Sequence, residues 1–110
     1  RGAFFFGLPG NPASTMVCYE VLARAAQELL SGLSEPRLPI TFARLTQPFR
    51  HKPGLTRFLP ATLHDDGTIT PRVWSGSGDI ASLAAANAWL VADPEKPEVA
   101  AGEWIGVLSR

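Results

Sequence analysis

One cysteine in 110 residues excludes an intrachain disulfide and any cysteine-rich zinc site. Cys18 lies inside a helical pattern and reads as a small packing residue, and a lone thiol suits a reducing compartment. Histidine is almost as scarce: His51 and His64 stand thirteen positions apart, without local metal-ligand spacing, so neither is read as a ligand. A phosphate-gripping Gly-Lys-Ser/Thr and a Gly-x-Gly-x-x-Gly dinucleotide fingerprint are both missing. So are an apolar run of bilayer length and a secretory leader. A formal net charge of zero argues against nucleic-acid or membrane partners. An initiator methionine is lacking too; Arg1-Gly2 opens straight onto an apolar run, which suggests a fragment with much of the protein upstream.

What is present is an ordinary globular composition, 45% hydrophobic and 18% charged. Its most informative stretch is Gly7-Leu8-Pro9-Gly10-Asn11-Pro12, between the apolar run Ala3 to Phe6, read as a strand, and a long helical pattern. Asn11 is a favoured N-cap, and Pro12 fits the first helical position. The glycines allow positive φ and close backbone approach, and the N–H groups of a first helical turn attract anions. Two readings stay open: a cradle for phosphate or another oxyanion, and a plain turn with a helix cap.

Val17, Val21, Ala25 and Leu29, flanked by Leu22 and Leu30, form an apolar helix stripe that Gly32 terminates. One strand and one amphipathic helix cannot bury their faces alone, so this unit is the last βα piece of a larger α/β domain. After Leu33-Ser34-Glu35-Pro36 the character changes. Leu38, Ile40 and Phe42 alternate in strand period, Thr56 to Leu63 and Thr68 to Trp74 form a hairpin through Asp65-Asp66-Gly67, and Ala88 to Ala92 and Glu103 to Leu108 are further strands. Pro60 and Pro71 are expected at edges or bulges. Asp79 or Ser77 caps a short helix through Ile80 and Leu83. Five short strands and one short helix predict a small β-rich barrel or sandwich. From Arg37 to His64 there are five cations (Arg37, Arg44, Arg50, Lys52 and Arg57) and no acid, read either as a solvated face or as a patch for an anionic substrate.

Gly7-Leu8-Pro9-Gly10-Asn11-Pro12-Ala13-Ser14 before an apolar helix, Lys52-Pro53-Gly54 with Thr56-x-Phe58, Gly76-Ser77-Gly78, Asn87 before a strand, and Ala101-Gly102-Glu103-Trp104 occur in an order and spacing that closely resemble the molybdopterin molybdenumtransferase (MoeA) family. The resemblance covers the whole chain. It implies residues 1–35 as the incomplete end of a molybdopterin-binding α/β domain and residues 36–110 as the family's C-terminal β domain.

The implied activity is insertion of molybdate into adenylylated molybdopterin with release of AMP, in a cytoplasmic homodimer that uses magnesium held by residues outside this chain. No metal ligand and no catalytic residue is assigned here. The resemblance places Pro9, Gly10, Asn11, Pro12 and Ser14 at the substrate. It also brings the Pro-Gly-x-Thr strand and the Gly-Ser-Gly turn to the cleft, so Arg57 and Ser77 join the binding candidates. Leu55 stands where the family most often carries arginine, and Arg57, two residues on and on the same side of a strand, is the candidate replacement. For Ser77 a turn or capping hydroxyl is the competing role. The rival from another class is a non-enzymatic binding module that uses the β domain as an interaction surface, favoured by an apolar groove between strands. Tungstate in place of molybdate fits equally.

Overall fold

The computed structural model describes residues 2–72, 75–76 and 78–109. The chain divides into two compact units, residues 1–38 with 76–78, and residues 39–75 with 79–110.

In the first unit the helical run comprises α1 (Pro12–Cys18), a π-helical turn (Tyr19–Ala23) and α2 (Arg24–Leu30). It stops where the sequence says it should. Gly32 takes φ +100°, Leu33 N–H donates to the Glu28 carbonyl at 3.0 Å and Gly32 N–H to that of Leu29 at 3.0 Å, the paired closure of a left-handed C-terminus. The π turn, in which Arg24 N–H reaches back to the Tyr19 carbonyl, was not foreseen. An extra residue in one turn rotates α2's stripe away from α1's. Accordingly Val17, Val21 and Ala25 are half-buried, while Leu22, Leu29 and Leu30 are exposed.

The expected strand from Ala3 to Phe6 is not one: residues 2–9 carry no regular secondary structure. A strand exists only through a ladder partner, and none is present among the described residues. Phe5 is 92% exposed.

The second unit is a closed five-stranded barrel. Its strands are β1 (Ile40–Leu45), β3 (Arg57–Leu63), β4 (Thr68–Pro71), β5 (Ala88–Ala92) and β7 (Trp104–Ser109), in the cyclic order β1-β4-β3-β5-β7. Every pairing is antiparallel except β1 with β4. The short strands β2 (Phe49–Arg50) and β6 (Glu98–Val99) form a separate ribbon, from which Phe49 and Val99 pack on the core. The Asp-Gly hairpin forms as the sequence indicates. Gly67 sits at φ +84°, and Asp66 Oδ1 accepts from Thr68 N–H at 3.0 Å and Thr68 Oγ1 at 2.6 Å. Of the third run, Val73 and Trp74 lie outside the described residues.

A barrel of five strands has a narrow interior, filled by alternating small and large side chains. Ala43, Ala61, Ala88 and Ala92 supply the small ones, and Leu45, Ile69, Leu90, Ile105 and Val107 the large. This choice sets the face of β1. The inward residues are Ala43 and Leu45, so the apolar set of Leu38, Ile40 and Phe42 lies on the other side, with Phe42 69% exposed. Period two fixes that a strand has two faces; the room inside decides which is the core.

Pro60 is a correction of another kind. A closed barrel has no edge, and Pro60 is fully buried in the middle of β3 opposite Trp89. Its carbonyl accepts from Arg72 N–H at 3.1 Å, so its nitrogen faces the same side, where the β3–β4 register ends at Ala61–Pro71. The missing donor therefore falls where the ladder stops. Pro71 is the last residue of β4, opposite Ala61 of β3.

Helix α3 (Ile80–Ala85) is capped by Asp79, and behind it Asn87 continues the sheet with its side chain. Asn87 Oδ1 accepts from Leu63 N–H at 2.7 Å, and Nδ2 donates to the Leu63 carbonyl at 3.0 Å. Replacing Asn87 with alanine removes both bonds at an exposed site and should cost about 1 kcal/mol. Ala61→Leu adds volume inside the closed barrel and should cost more, about 1–3 kcal/mol. Urea unfolding of the two variants checks the order; equal midpoints would contradict a filled interior.

Candidate functional site

The proline-bearing loop belongs to the first unit. Asn11 is the N-cap, with φ −73° and ψ 127°, and its Oδ1 faces Ser14 N–H at 3.4 Å. Pro12 opens the helix, as expected of a residue whose φ is already helical. The two glycines differ from expectation. The described glycines with positive φ are Gly32, Gly54, Gly67, Gly76 and Gly102, so neither Gly7 nor Gly10 uses that freedom. A Cβ at Gly10 would meet nothing within 4 Å, so the loop is open on that side.

Some of the first-turn donors are spoken for. Pro12 has none, Ala13 is buried, Ser14 N–H is capped by Asn11, and Thr15 N–H donates to the Asn11 carbonyl at 2.8 Å. The helix start is thus capped at Ser14, as the capping reading has it, while the N–H groups of Asn11 and Ala13 have no acceptor among the described residues. The groups of this loop left for a ligand include the N–H groups of Gly10 and Asn11 and the hydroxyl of Ser14, with Gly10 and Ser14 exposed and Asn11 half-buried.

Thr15, which the sequence reading passed over, organises this loop. Its hydroxyl reaches the carbonyl of Pro9 and that of Asn11, the latter at 2.8 Å. The signal available beforehand was its position four residues after Asn11, where a threonine hydroxyl bonds back along a helix.

Arg57 lies in the second unit at the start of β3, opposite Ala92. Leu55 sits in the turn before that strand, so strand alternation does not extend from Leu55 to Arg57 as the sequence implied. Arg57 is half-buried, and its Nε is a buried donor without an acceptor among the described residues. Gly54, at φ +109°, ties the turn to the Pro94 carbonyl at 3.1 Å. Ser77 lies outside the described residues; its neighbours Ser75 and Asp79 do not. Asp79 Oδ2 accepts from Ser75 N–H at 3.3 Å, Ser75 Oγ at 3.1 Å and Ser82 Oγ at 2.8 Å, while Oδ1 accepts from Ser82 N–H at 3.0 Å.

The five cations differ in their partners. Arg37 pairs with Glu35 and Arg50 with Glu98, while the Arg44 guanidinium lies 4.6 Å from the centre of the Trp104 ring. Lys52 and Arg57 have no acidic partner among the described residues. No group of three His, Cys, Asp or Glu side chains able to hold a metal occurs among the described residues, so none of them is assigned to a divalent cation. The outer face of the barrel holds a groove of about 350 Å³ walled by Ile40, Phe42 and Val91. Gly106 floors it: a Cβ there would come within 3.4 Å of Val91 Cβ and 3.8 Å of Ile40 Cγ2.

Residues 43–109 match the family model of the MoeA C-terminal region, domain IV. The chain belongs to this family. A curated relative, molybdopterin molybdenumtransferase 2 of Mycobacterium tuberculosis (strain H37Rv), is 36% identical over 101 residues, covering 91% of this chain and 25% of the relative. The molybdopterin molybdenumtransferase of Staphylococcus aureus (strain N315) is 33% identical over 89 residues, covering 78% of this chain and 21% of the relative. The chain therefore spans about a quarter of the length of these proteins. The fold agrees with that of the crystallised molybdopterin biosynthesis MoeA protein of Pyrococcus horikoshii OT3, at TM-score 0.76 and 21% identity over 92% of this chain and 26% of that one. A molybdenum cofactor biosynthesis protein from Pyrococcus furiosus matches at TM-score 0.74 and 21% identity, over 92% of this chain and 36% of that one. The family's mixed α/β character and barrel are thus those predicted.

In this domain IV, Asp79 offers a direct check on the clasp before α3. Bonds from Ser82 N–H and hydroxyl, then from Ser75, hold its carboxyl down from 3.8 to about 2. A depressed carboxylate stabilises the fold above its unfolded value and loses that contribution as pH falls through the folded one. An NMR titration of the Asp79 carboxyl should give a midpoint of about 2, and Ser75→Ala with Ser82→Ala should raise it. A midpoint at the ordinary value in the parent chain would show the clasp open in solution.

Proposed function

We infer that the chain works as the C-terminal part of a molybdopterin molybdenumtransferase, in which residues 1–35 close a molybdopterin-binding α/β domain and residues 36–110 form domain IV. The observation that carries this is the domain IV match across 43–109, together with relatives that bear the transferase name along most of this chain. The reaction is insertion of molybdate into adenylylated molybdopterin with release of AMP, in a cytoplasmic homodimer using magnesium held elsewhere in the protein. The open loop of Pro9, Gly10, Asn11, Pro12 and Ser14 borders the substrate, and its N–H and hydroxyl donors suit the oxyanions of molybdate and of the pterin phosphate. Arg57, half-buried and without an acid partner among the described residues, and Ser77 are the further contacts.

The groove of Ile40, Phe42 and Val91 favours a second reading, in which the barrel face binds a protein partner. The two readings separate by experiment. In the full-length protein, Pro12→Leu and Pro9→Leu should lower molybdenum insertion by about a hundredfold, the scale at which a misplaced contact acts. The melting midpoint should move by only a few degrees, because Pro12 contributes under about 1 kcal/mol through the unfolded chain. Unchanged insertion in both would leave the loop a helix cap and shift weight to the binding module.

A further inference from the structure

Three neighbouring strands, β1, β7 and β5, share one outer surface, and their register says how it is laid out. Ala43, Ile105 and Ala92 face the interior, so the residues beside them in sequence face out. Phe42 and Val91 both pair with Gly106 of β7, one from each side, and Arg44 pairs with Trp104. Continued two residues along β5, the same register brings Asp93 level with Trp104. The surface thus has two matching halves about β7, Phe42 and Arg44 on one side, Val91 and Asp93 on the other. Between them Gly106 has no side chain, and the groove lies over it.

The two halves carry opposite charges. The Arg44 guanidinium lies over the Trp104 ring and has no acid partner among the described residues. Asp93, the acid that lines the groove, accepts from Glu95 N–H at 2.8 Å through Oδ1 and has no cation partner among them. Phe42 and Trp104 are exposed between these charges.

Such a surface is complementary to itself. A second copy rotated by half a turn about a line along β7 lays its β1 side over the first copy's β5 side. Phe42 of each copy then meets Val91 of the other beside the Gly106 gap, and Arg44 of each faces Asp93 of the other. Both contacts occur twice, which is the condition for an isologous interface. A two-fold axis across the strands at Gly106 would instead set Arg44 over Ile40, with no charge to meet.

We propose that the β1–β7–β5 face is a self-association surface, a two-fold contact with a second copy of this chain in which Arg44 of each copy pairs with Asp93 of the other. This rests on the second reading above, that the barrel face binds protein, and it names the protein. The patch is smaller than the roughly 20–30 residues a side of a standard interface, so the contact is weak and forms at high protein concentration.

Sedimentation equilibrium of the full-length protein tests this at concentrations up to about 1 mM, the range of a weak contact. The parent's mass should rise with concentration, and hydroxyl-radical oxidation of the Phe42 and Trp104 side chains should fall over the same range. Arg44→Asp and Asp93→Arg each set like charges opposite one another, and each alone should weaken the association about tenfold or more. An equimolar mixture of the two variants restores both opposite-charge pairs and should associate as the parent does, a result that requires the two positions to face each other. Both positions are exposed, so neither change should move the melting midpoint by more than a few degrees. A parent that stays at one mass, single variants that associate like the parent, or a mixture no better than its components overturns the proposal. The footprint then separates the two claims. Phe42 and Trp104 oxidised freely at every concentration leave the face open to a different protein, so only self-association fails; both protected in the most dilute sample show the rest of the protein covering the face, and the second reading fails with it.

Discussion

Closure is the constraint on which the barrel depends. A five-stranded sheet that pairs its last strand with its first leaves no unpaired edge, but it also leaves little space inside. The alanines at 43, 61, 88 and 92 are what that space admits beside five larger aliphatic residues. From this follow the outward turn of Ile40 and Phe42, the placement of Pro60 where a ladder ends, and the use of the Asn87 side chain to prolong β3 beyond its last backbone partner. The aromatic outer face is therefore a by-product of a narrow interior as much as a feature in its own right.

How much was legible depended on whether the deciding physics is local. The Asp-Gly hairpin, the Gly32 terminus, and the Asn11 and Asp79 caps rest on bonds within a few residues, and the structure has them where the sequence signals them. The Ala3 to Phe6 strand and the Pro60 edge failed for the opposite reason. Both depend on what lies beside the chain, and apolar character names no neighbour. The sequence left the face of β1 open in the same way, since Phe42 and Ala43 are distinguishable only once the radius of the barrel is known. At the candidate site, capping chemistry was readable; which donors of the helix start stay free was not, because it takes their acceptors to see it.

Those acceptors change how the loop is understood. A helix start with free N–H groups attracts anions through the summed dipole; here Pro12 offers no donor and the Asn11 side chain takes the Ser14 N–H. What remains is a short segment ahead of the helix, whose donors are few and depend on backbone orientation. Family membership makes this segment worth attention, and its hydrogen bonding narrows the attention to single groups. Arg57 presents the complementary case, a cation whose Nε has no acceptor among the described residues and which belongs to the other compact unit.

The pairing of β1 with β7 has a consequence for how the protein is made. Ile40 to Arg44 find their partners at Leu108 to Trp104, sixty or more residues later, and β7 is the last of the five barrel strands in sequence. During synthesis the other four barrel strands leave the ribosome before the one that closes them, so the growing sheet carries two open edges until β7 emerges. Loop closure over that distance is also the slow step of a non-local fold. The turn before β7, bent at Gly102, is thus the one that brings in the strand sealing the barrel.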